Sequence, residues 1–338
     1  MTAERVLTYR DAINEALRQE MRRDPSVILL GEDVAGGGGR DKEGLSEAWG
    51  GAFATYKGIY KEFGAERVLD TPISEIGYLG AAVGAAMTGL RPVAELMFVD
   101  FIGVCLDPLM NQAAFAHYMS GGRATVPLTM ITHIGAGVGM AAQHSKILYS
   151  LFAHIPGLRV VAPSSAYHAK GLLTAAIRSN DPVVFCAHKL LLGQSEPVPE
   201  EPYTFPIGKA RIVRPGNDVT LIGAALTTSV CVQAAKALEA DGVDAEVVDL
   251  LSISPLDRET VLASVRKTGR AVVVDEGFPR CGLATDVAAL IATHAFDHLD
   301  GPVKMVTAPH APVPFSRPLE LAFMPSPERV REATLELF

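Results

Sequence analysis

Strand and helix alternate along the whole chain, and this alternation restricts the fold more than any other feature. Short apolar, β-branched runs recur at Val27–Leu30, Val93–Met97, Pro127–Ile134, Leu158–Ala162 and Val183–Ala187. They return at Val219–Ile222, Ala245–Leu250, Ala271–Asp275 and Val303–Thr307. Helical spacing fills the intervals. Ile13, Ala16, Leu17 and Met21 form one face behind a capping-box-like Thr8-x-x-Asp11. Further helices are predicted at Leu106–Tyr118, Ile147–Ile155, Ser164–Arg178, Thr228–Ala240, Asp257–Lys267, Leu283–Ala295 and Pro327–Leu337. Such alternation predicts an α/β protein of two doubly wound domains with mainly parallel sheets. Runs such as VVVD and VVFC suit parallel strands covered on both faces. Residues 188–206, containing GQSEPVPEEPYTFP, interrupt the pattern and read as a linker. The expected division is therefore a first domain at 1–187, the linker at 188–206, and a second domain at 207–338. A length of 338 residues suits two domains.

One stretch of the first half stands apart, Asp70–Gly89, DTPISEIGYLGAAVGAAMTG. Val68–Asp70 should end a strand, and Pro72 pushes Thr71 out of the helical region. Ser74 is a good N-cap, so a helix should begin at Glu75. That helix is rich in Gly and Ala, which lets another backbone approach closely, and the Gly80/Gly84 spacing reads as close helix packing at an interface. Glu75 lies at a strand-to-helix turn in apolar surroundings. It can simply complement the helix dipole. It also stands where ligands bind in α/β proteins, at the carboxyl end of a strand, and a carboxylate among apolar residues needs a specific partner.

Composition excludes several classes. The net charge is −8, from 30 basic and 38 acidic side chains, with no Lys/Arg cluster, so neither nucleic acid nor an anionic membrane is an expected partner. The longest stretch free of Asp, Glu, Lys and Arg, Ala124–Ser145, holds a proline, two histidines, a glutamine and three glycines, and is no membrane span. The run Ile76–Leu90 is shorter than the roughly 20 residues a bilayer needs. The N-terminus shows no signal-peptide core. Cys105, Cys186, Cys231 and Cys281 form no CxxC and lie in apolar segments, so buried reduced thiols in a cytoplasmic protein are expected.

Other patterns carry less. The glycines at 36–39 and the residues up to Gly51 are a glycine-rich loop with no GK[ST] after it, and read as a loop rather than a phosphate cradle. Gly137-x-Gly139-x-x-Ala142 follows a predicted strand as a dinucleotide fingerprint would. The next strand, Arg159–Ala162, ends in no acid to bind a ribose, which argues against NAD. No GxSxG occurs, so a nucleophile-elbow hydrolase has no support. Among nine histidines, His117, His154, His168, His188, His294 and His298 read as structural or surface residues. His310 lies in a Pro-rich loop without an assigned role, and His133 could line a cleft beside the GAGVG turn.

The pattern DTPISE-x-G-x-x-G-x-AVGAA-x-x-GLRP resembles the β subunit of the thiamine-diphosphate-dependent E1 component of 2-oxoacid dehydrogenase complexes. The resemblance continues through FVDF (98–101), NQAA (111–114), YMSGG (118–122), AAQHS (141–145), PGLRVVAPS (156–164), AKGLL (169–173), AIRSNDPVV (176–184) and VVVDE (272–276). It implies a transketolase-like pyrimidine-binding domain followed by a transketolase C-terminal domain. By position, Glu75 matches the family's cofactor-activating glutamate. A carboxylate in that role should be buried and its pKa raised. Phe101 matches the aromatic residue that stacks on the cofactor's aminopyrimidine, with Met97 in the same pocket. His144 matches the histidine that faces the substrate and the incoming lipoyl group. The chain has no GDG motif, so no metal site is expected in it. Mg2+ and the diphosphate are expected mainly on an E1 α subunit, in an α2β2 heterotetramer.

The resemblance further implies E2 as a partner, through its peripheral subunit-binding and lipoyl domains, with the chain's last residues, Leu337-Phe338, contributing to the docking surface. A family monovalent-cation site would fall at Leu128 and Ala176–Asp181, where Ser179 and Asp181 depart from the pattern. GEDVAGGGG, EAWGG (47–51), ELMFVDF (95–101) and TAPHAPVPFS (307–316) are most similar to acetoin dehydrogenase within the family. The implied reaction is cleavage of acetoin, or decarboxylation of a 2-oxoacid, with reductive acylation of E2. Pyruvate and branched-chain enzymes are the alternatives, and a non-catalytic subunit that only docks E2 is a second one.

Overall fold

The computed structural model describes residues 5–36 and 49–338. In chain order the first half comprises β1 (Val6–Thr8), α1 (Tyr9–Arg23), β2 (Val27–Gly31), α2 (Ile59–Phe63), β3 (Val68–Asp70), α3 (Glu75–Met87) and β4 (Arg91–Phe98). A 3-10 turn at Val99–Val104 and a π-helical turn at Pro108–Ala113 lead into α4 (Ala114–Met119). Then come β5 (Thr129–Ile134), α5 (Tyr149–Ala153), β6 (Arg159–Val161), α6 (Ala166–Arg178), β7 (Val183–His188) and β8 (Ser195–Pro197). The second half holds β9 (Arg211–Arg214), β10 (Val219–Gly223), α7 (Leu226–Leu238), β11 (Ala245–Asp249), β12 (Ser252–Ser254), α8 (Arg258–Thr268), β13 (Ala271–Asp275), α9 (Leu283–His294), β14 (Lys304–Thr307), α10 (Arg317–Phe323) and α11 (Pro327–Leu335).

The strands form two large sheets. One has seven strands in the order β12-β6-β7-β5-β4-β2-β3, the other five in the order β14-β13-β10-β11-β9. Every pairing is parallel except at one edge of each, where β12 runs antiparallel to β6 and β9 antiparallel to β11. The architecture expected from the alternation, an α/β protein built on two mainly parallel sheets, is present. Both antiparallel strands escape the sequence reading. They are short, and β12 is joined to β11 by only two residues yet crosses to the other sheet.

Burial on both faces explains the strand sequences. In β2, Val27 and Leu29 pack with Tyr9, Ile13, Leu17, Leu172 and Ile177 of α1 and α6. Ile28 and Leu30 pack on the opposite face with Leu79 and Val83 of α3. That second core runs on without a break into Ile222, Val248 and Val273 of the five-stranded sheet and Ile291 of α9. The two sheets therefore share one central apolar layer. Cys105, Cys186 and Cys231 are buried as expected, whereas Cys281 is exposed on the turn before α9. Among the described residues, no helix is long and apolar enough to cross a membrane.

Residues 188–206, expected as a linker, carry contacts of their own. β8 pairs antiparallel with β1. Lys170 of α6, fully buried, donates from Nζ to the carbonyls of Pro199 (2.6 Å) and Glu200 (2.9 Å) and to the Glu15 carboxylate (2.6 Å). Tyr203 stacks on Tyr167 at 4.7 Å, and the Phe205 N–H donates to the Gly171 carbonyl at 3.0 Å. The composition marks a chain without regular structure, while a buried lysine on α6 fixes where it lies.

Gly171 tests this packing. In an open helix, Gly→Ala gains about 1 kcal/mol. Here an added Cβ would lie 2.9 Å from the Tyr203 ring, 3.0 Å from the Phe205 nitrogen and 3.1 Å from the Phe205 Cβ. Gly171→Ala is expected to destabilise by about 1–2 kcal/mol, in the range of overpacked sites. A thermal melt reads it as a fall of several degrees, and an unchanged or raised Tm would show that residues 203–205 do not press on α6.

Candidate active site

Parallel register brings the carboxyl ends of β3, β2, β4 and β5 to one edge, presenting Asp70, Gly31-Glu32, Met97-Phe98 and His133-Ile134. Crevices at such edges bind ligands because the chain leaves each strand there for a helix on one face or the other. The β3–α3 turn is tied to β2, since the Thr71 N–H donates to the Gly31 carbonyl at 3.0 Å. It is also tied to the following loop, where the Asp70 carboxylate accepts from the Ala35 N–H at 2.6 Å. Ser74 occupies the N-cap position as expected but makes no side-chain cap. Its carbonyl accepts the N–H groups of Gly77 (2.9 Å) and Tyr78 (3.1 Å). Glu75 thus lands on the first turn of α3. It is half-buried rather than enclosed, and its carboxylate accepts no hydrogen bond among the described residues.

The sequence reading missed Glu32, which ends β2 beside this turn. It is nearly buried, and its Oε1 has no partner among the described residues. Its pKa lies above the ordinary carboxylate range, through burial first and then the charges of Glu75 and Asp33. The signal that singled out Glu75, an acid at the carboxyl end of a buried strand, applies equally to the GED sequence. The glycine-rich loop that follows lies largely outside the described residues.

Met97 and Phe101 are both half-buried, one at the end of β4 and the other in the 3-10 turn. Phe101 meets the His144 ring edge-on at 5.5 Å, and Phe98 meets it at 4.7 Å. Lys189 holds the main chain at His144, donating from Nζ to the His144 carbonyl while lying 5.4 Å above the Phe98 ring. Burial pulls the Lys189 ammonium down to about 8, against the opposing charges of Asp100, Glu276 and Glu320. Lys146 Nζ donates to Asp100 (2.8 Å) and to the Ala142 carbonyl (2.7 Å). A cavity of about 460 Å³ opens here, lined by residues 139–144 and Phe315. Ring contacts thus bring Phe101 and His144 together, while Glu75 lies farther along the same edge beside Glu32.

His133 does not line the cleft. It is fully buried, with Phe53 packed on its ring at 4.3 Å. Its Nδ1–H donates to the Met97 carbonyl at 3.1 Å, leaving Nε2 as an unpartnered acceptor among the described residues. Burial drives its pKa down to about 4 and drives that of fully buried Glu95, 3.8 Å away, up to about 8. Near neutral pH an uncharged imidazole therefore faces a protonated carboxyl, and the pair is not a salt bridge. His310 is exposed, with its ring 5.7 Å from Phe278.

The turn that mimics a dinucleotide fingerprint already holds an anion. Gly135, Gly137 and Gly139 all take positive φ, and such turns present backbone N–H groups as an anion nest. Fully buried Glu320 fills it, accepting from the N–H groups of Gly137 (2.8 Å) and Gly139 (3.0 Å). A pyrophosphate would have to displace the protein's own carboxylate. In the stretch expected to bind a monovalent cation, the carbonyls of Ile177 and Ser179 both accept from the Arg91 guanidinium at 2.9 Å.

The chain matches two family models, "Transketolase, pyrimidine binding domain" over residues 5–194 and "Transketolase, C-terminal domain" over residues 208–330. It is 54% identical over 333 residues to the acetoin:2,6-dichlorophenolindophenol oxidoreductase subunit beta of Bacillus subtilis, covering 98% of this chain and 97% of that one. It is 53% identical to the subunit of the same name from Cupriavidus necator, covering 97% and 96%. It is 42% identical to the pyruvate dehydrogenase E1 component subunit beta of Rhizobium meliloti, covering 97% and 69%. Among solved structures, a split-gene transketolase in an inactive β4 tetramer superimposes with a TM-score of 0.78 at 23% identity over 98% of each chain. The Leishmania mexicana transketolase gives a TM-score of 0.69 at 17% identity, covering all of this chain and 46% of that one. The chain belongs to the family of β subunits of dehydrogenase E1 components, built from transketolase pyrimidine-binding and C-terminal domains.

Proposed function

We propose that this chain is the β subunit of an acetoin-cleaving, thiamine-diphosphate-dependent E1 enzyme. It works in the cytoplasm with an α subunit as an α2β2 heterotetramer and passes its acyl product to E2 lipoyl groups. One observation carries the reading: Glu75, half-buried and without a hydrogen-bond partner among the described residues, shares a strand edge with Glu32, Met97, Phe101 and His144 in a chain without GDG. A subunit that only docked E2 would need neither this carboxylate nor the histidine.

The residues present fit half of the cofactor. Met97 and Phe101 offer a part-open apolar wall suited to the aminopyrimidine ring, and Glu75 would share a proton with its N1′ nitrogen. Among the described residues no comparable set suits a diphosphate, and the sequence has no GDG, so that half and Mg2+ fall to the α subunit. When bound, thiamine diphosphate supplies a carbanion at C2 and an electron sink. Glu75 sets the proton balance at the ring nitrogen. His144 is the base for the substrate hydroxyl proton, oriented by the edges of Phe98 and Phe101 and by Lys189.

The substrate assignment rests on charge and on the relatives. Tyr78, Val99 and Ile102 are buried and uncharged, and Ile73, Ile76 and Val104 are exposed and uncharged. Asp100 lies in the 3-10 turn beside Phe101. Lys146 accompanies it, but Asp100 and the Ala142 carbonyl already engage that ammonium. Among the described residues, the Lys146 ammonium on this side of the cleft is already engaged and offers no free partner for a 2-oxoacid carboxylate, whereas neutral acetoin requires no such group. Relatives at 53–54% identity are named for acetoin and one at 42% for pyruvate.

Three outcomes are expected. The isolated chain binds thiamine diphosphate weakly, and calorimetry showing micromolar affinity without an α subunit would contradict the split site. Glu75→Gln in the reconstituted enzyme folds normally but loses two or more decades of turnover, about the size of a general acid–base contribution. Near-normal C2 proton exchange in that variant would refute the role. With a dye acceptor, kcat/KM is highest for acetoin among acetoin, pyruvate and 3-methyl-2-oxobutanoate, and a preference for either oxoacid would overturn the acetoin assignment alone.

A further inference from the structure

We propose that Glu276 and Glu320, two carboxylates of the C-terminal half, are positioning residues that hold the 135–139 turn in the conformation that aims His144 into the cleft. The inference rests on the reading of His144 given above. The turn cannot hold this shape unaided. Gly135, Gly137, Gly139 and Ala141 all have positive φ, between 56° and 99°, and a glycine-rich segment loses the most freedom on ordering. The N–H groups of its buried part, residues 135–137, must also be satisfied.

The C-terminal half supplies the acceptors. Glu276, at the end of β13, accepts the Ala136 N–H on Oε1 at 2.6 Å and the His188 Nε2–H on Oε2 at 2.8 Å. Leu190 N–H donates to His188 Nδ1 at 3.2 Å, which fixes this tautomer. Glu320, fully buried on α10, accepts from Gly137 at 2.8 Å and Gly139 at 3.0 Å. Hydrogen bonds to a carboxylate are about twice as strong as neutral ones. A cap of apolar side chains, Ala308, Val313, Phe323 and Met324, closes over Ala136 and excludes water.

The other end of the segment returns to the same point. Lys189, next in the chain after His188, donates to the His144 carbonyl. Residues 136–144 are therefore held at one end through His188 and Glu276 and at the other through Lys189, with Glu320 between. Gly135 permits this closure, because a Cβ there would overlap the His188 ring. His188, read from sequence as a structural or surface residue, links the two halves.

The test uses Glu320→Gln, with Glu276→Gln as a second variant, in the full chain assembled with its α subunit. Amide hydrogen exchange followed by mass spectrometry should show residues 135–145 exchanging at least about tenfold faster, with the sheet strands unchanged. Turnover with a dye acceptor should fall by about tenfold to a hundredfold, as for a misplaced catalytic group. C2 proton exchange, which reads Glu75, should stay within about twofold. In a His144→Ala background neither substitution should lower turnover further, since both act through that residue. Unchanged exchange at 135–145 in both variants would overturn the proposal, as would an undiminished additional loss in the His144→Ala background. If His144→Ala itself leaves turnover intact, the assignment of His144 fails, and the exchange result still decides whether the carboxylates hold the turn. Should Glu320→Gln fail to fold, Glu276→Gln carries the same comparison, because its one amide oxygen replaces two acceptors and breaks the link from Ala136 through the carboxylate to His188.

Discussion

Parallel strands have to be covered on both faces, and the geometry of this protein follows from that requirement. Each crossover must leave the sheet at one end and return along a face, so the carboxyl ends of all the parallel strands in the seven-stranded sheet fall on the same edge. Glu32, Glu75, Met97 and Phe101 are far apart in sequence and become neighbours at that edge. The small residues of α3 serve the same geometry. Leu79, Ala82, Val83 and Ala86 pack inward, while Ile73, Ile76, Gly84 and Met87 remain exposed. Such a bare apolar face suits the close contact with a second subunit that the proposed split site requires.

Behind the edge, burial decides the charge state of groups that look ionic on paper. Glu95 and His133 would be written as a salt bridge from their types and their 3.8 Å separation. Desolvation moves the acid up and the base down, so the pair is neutral where the enzyme works. The His133 Nδ1–H is spent on the Met97 carbonyl, which fixes the backbone beside the cleft and not the chemistry within it. Two other acidic side chains nearby differ in being held by partners. Asp100 has Lys146, and Glu320 has the N–H groups of its turn.

Contact between the two halves of the chain is polar at the site and apolar away from it. One central core runs through both sheets, and Tyr149 donates to the Asp275 carboxylate across the boundary. At the GAGVG turn the contact becomes a set of carboxylate–amide hydrogen bonds. An apolar contact tolerates small slides, whereas hydrogen bonds from three amides of one turn, those of Ala136, Gly137 and Gly139, fix a backbone closely. The second domain thereby shapes the first where the first carries His144.

Much of this was legible in the sequence. Periodicity and β-branched runs gave the α/β class, nearly all the parallel strands and the long helices, because a strand buried on both faces or a helix buried on one must show that burial in its composition. The DTPISE turn placed Glu75 at a strand end, because proline and the following cap act within a few residues. Glu32 carried the same local signal and was passed over. Other features lay beyond any local signal. β12 joins a sheet of the other half, Lys170 seats the 199–205 segment, and His133 turns away from the cleft. Glu320 fills a turn lying 181–183 residues before it in the chain. Each depends on a partner distant in the chain, and a residue's type reports what it can bond to, while only the tertiary structure decides which partner comes within reach.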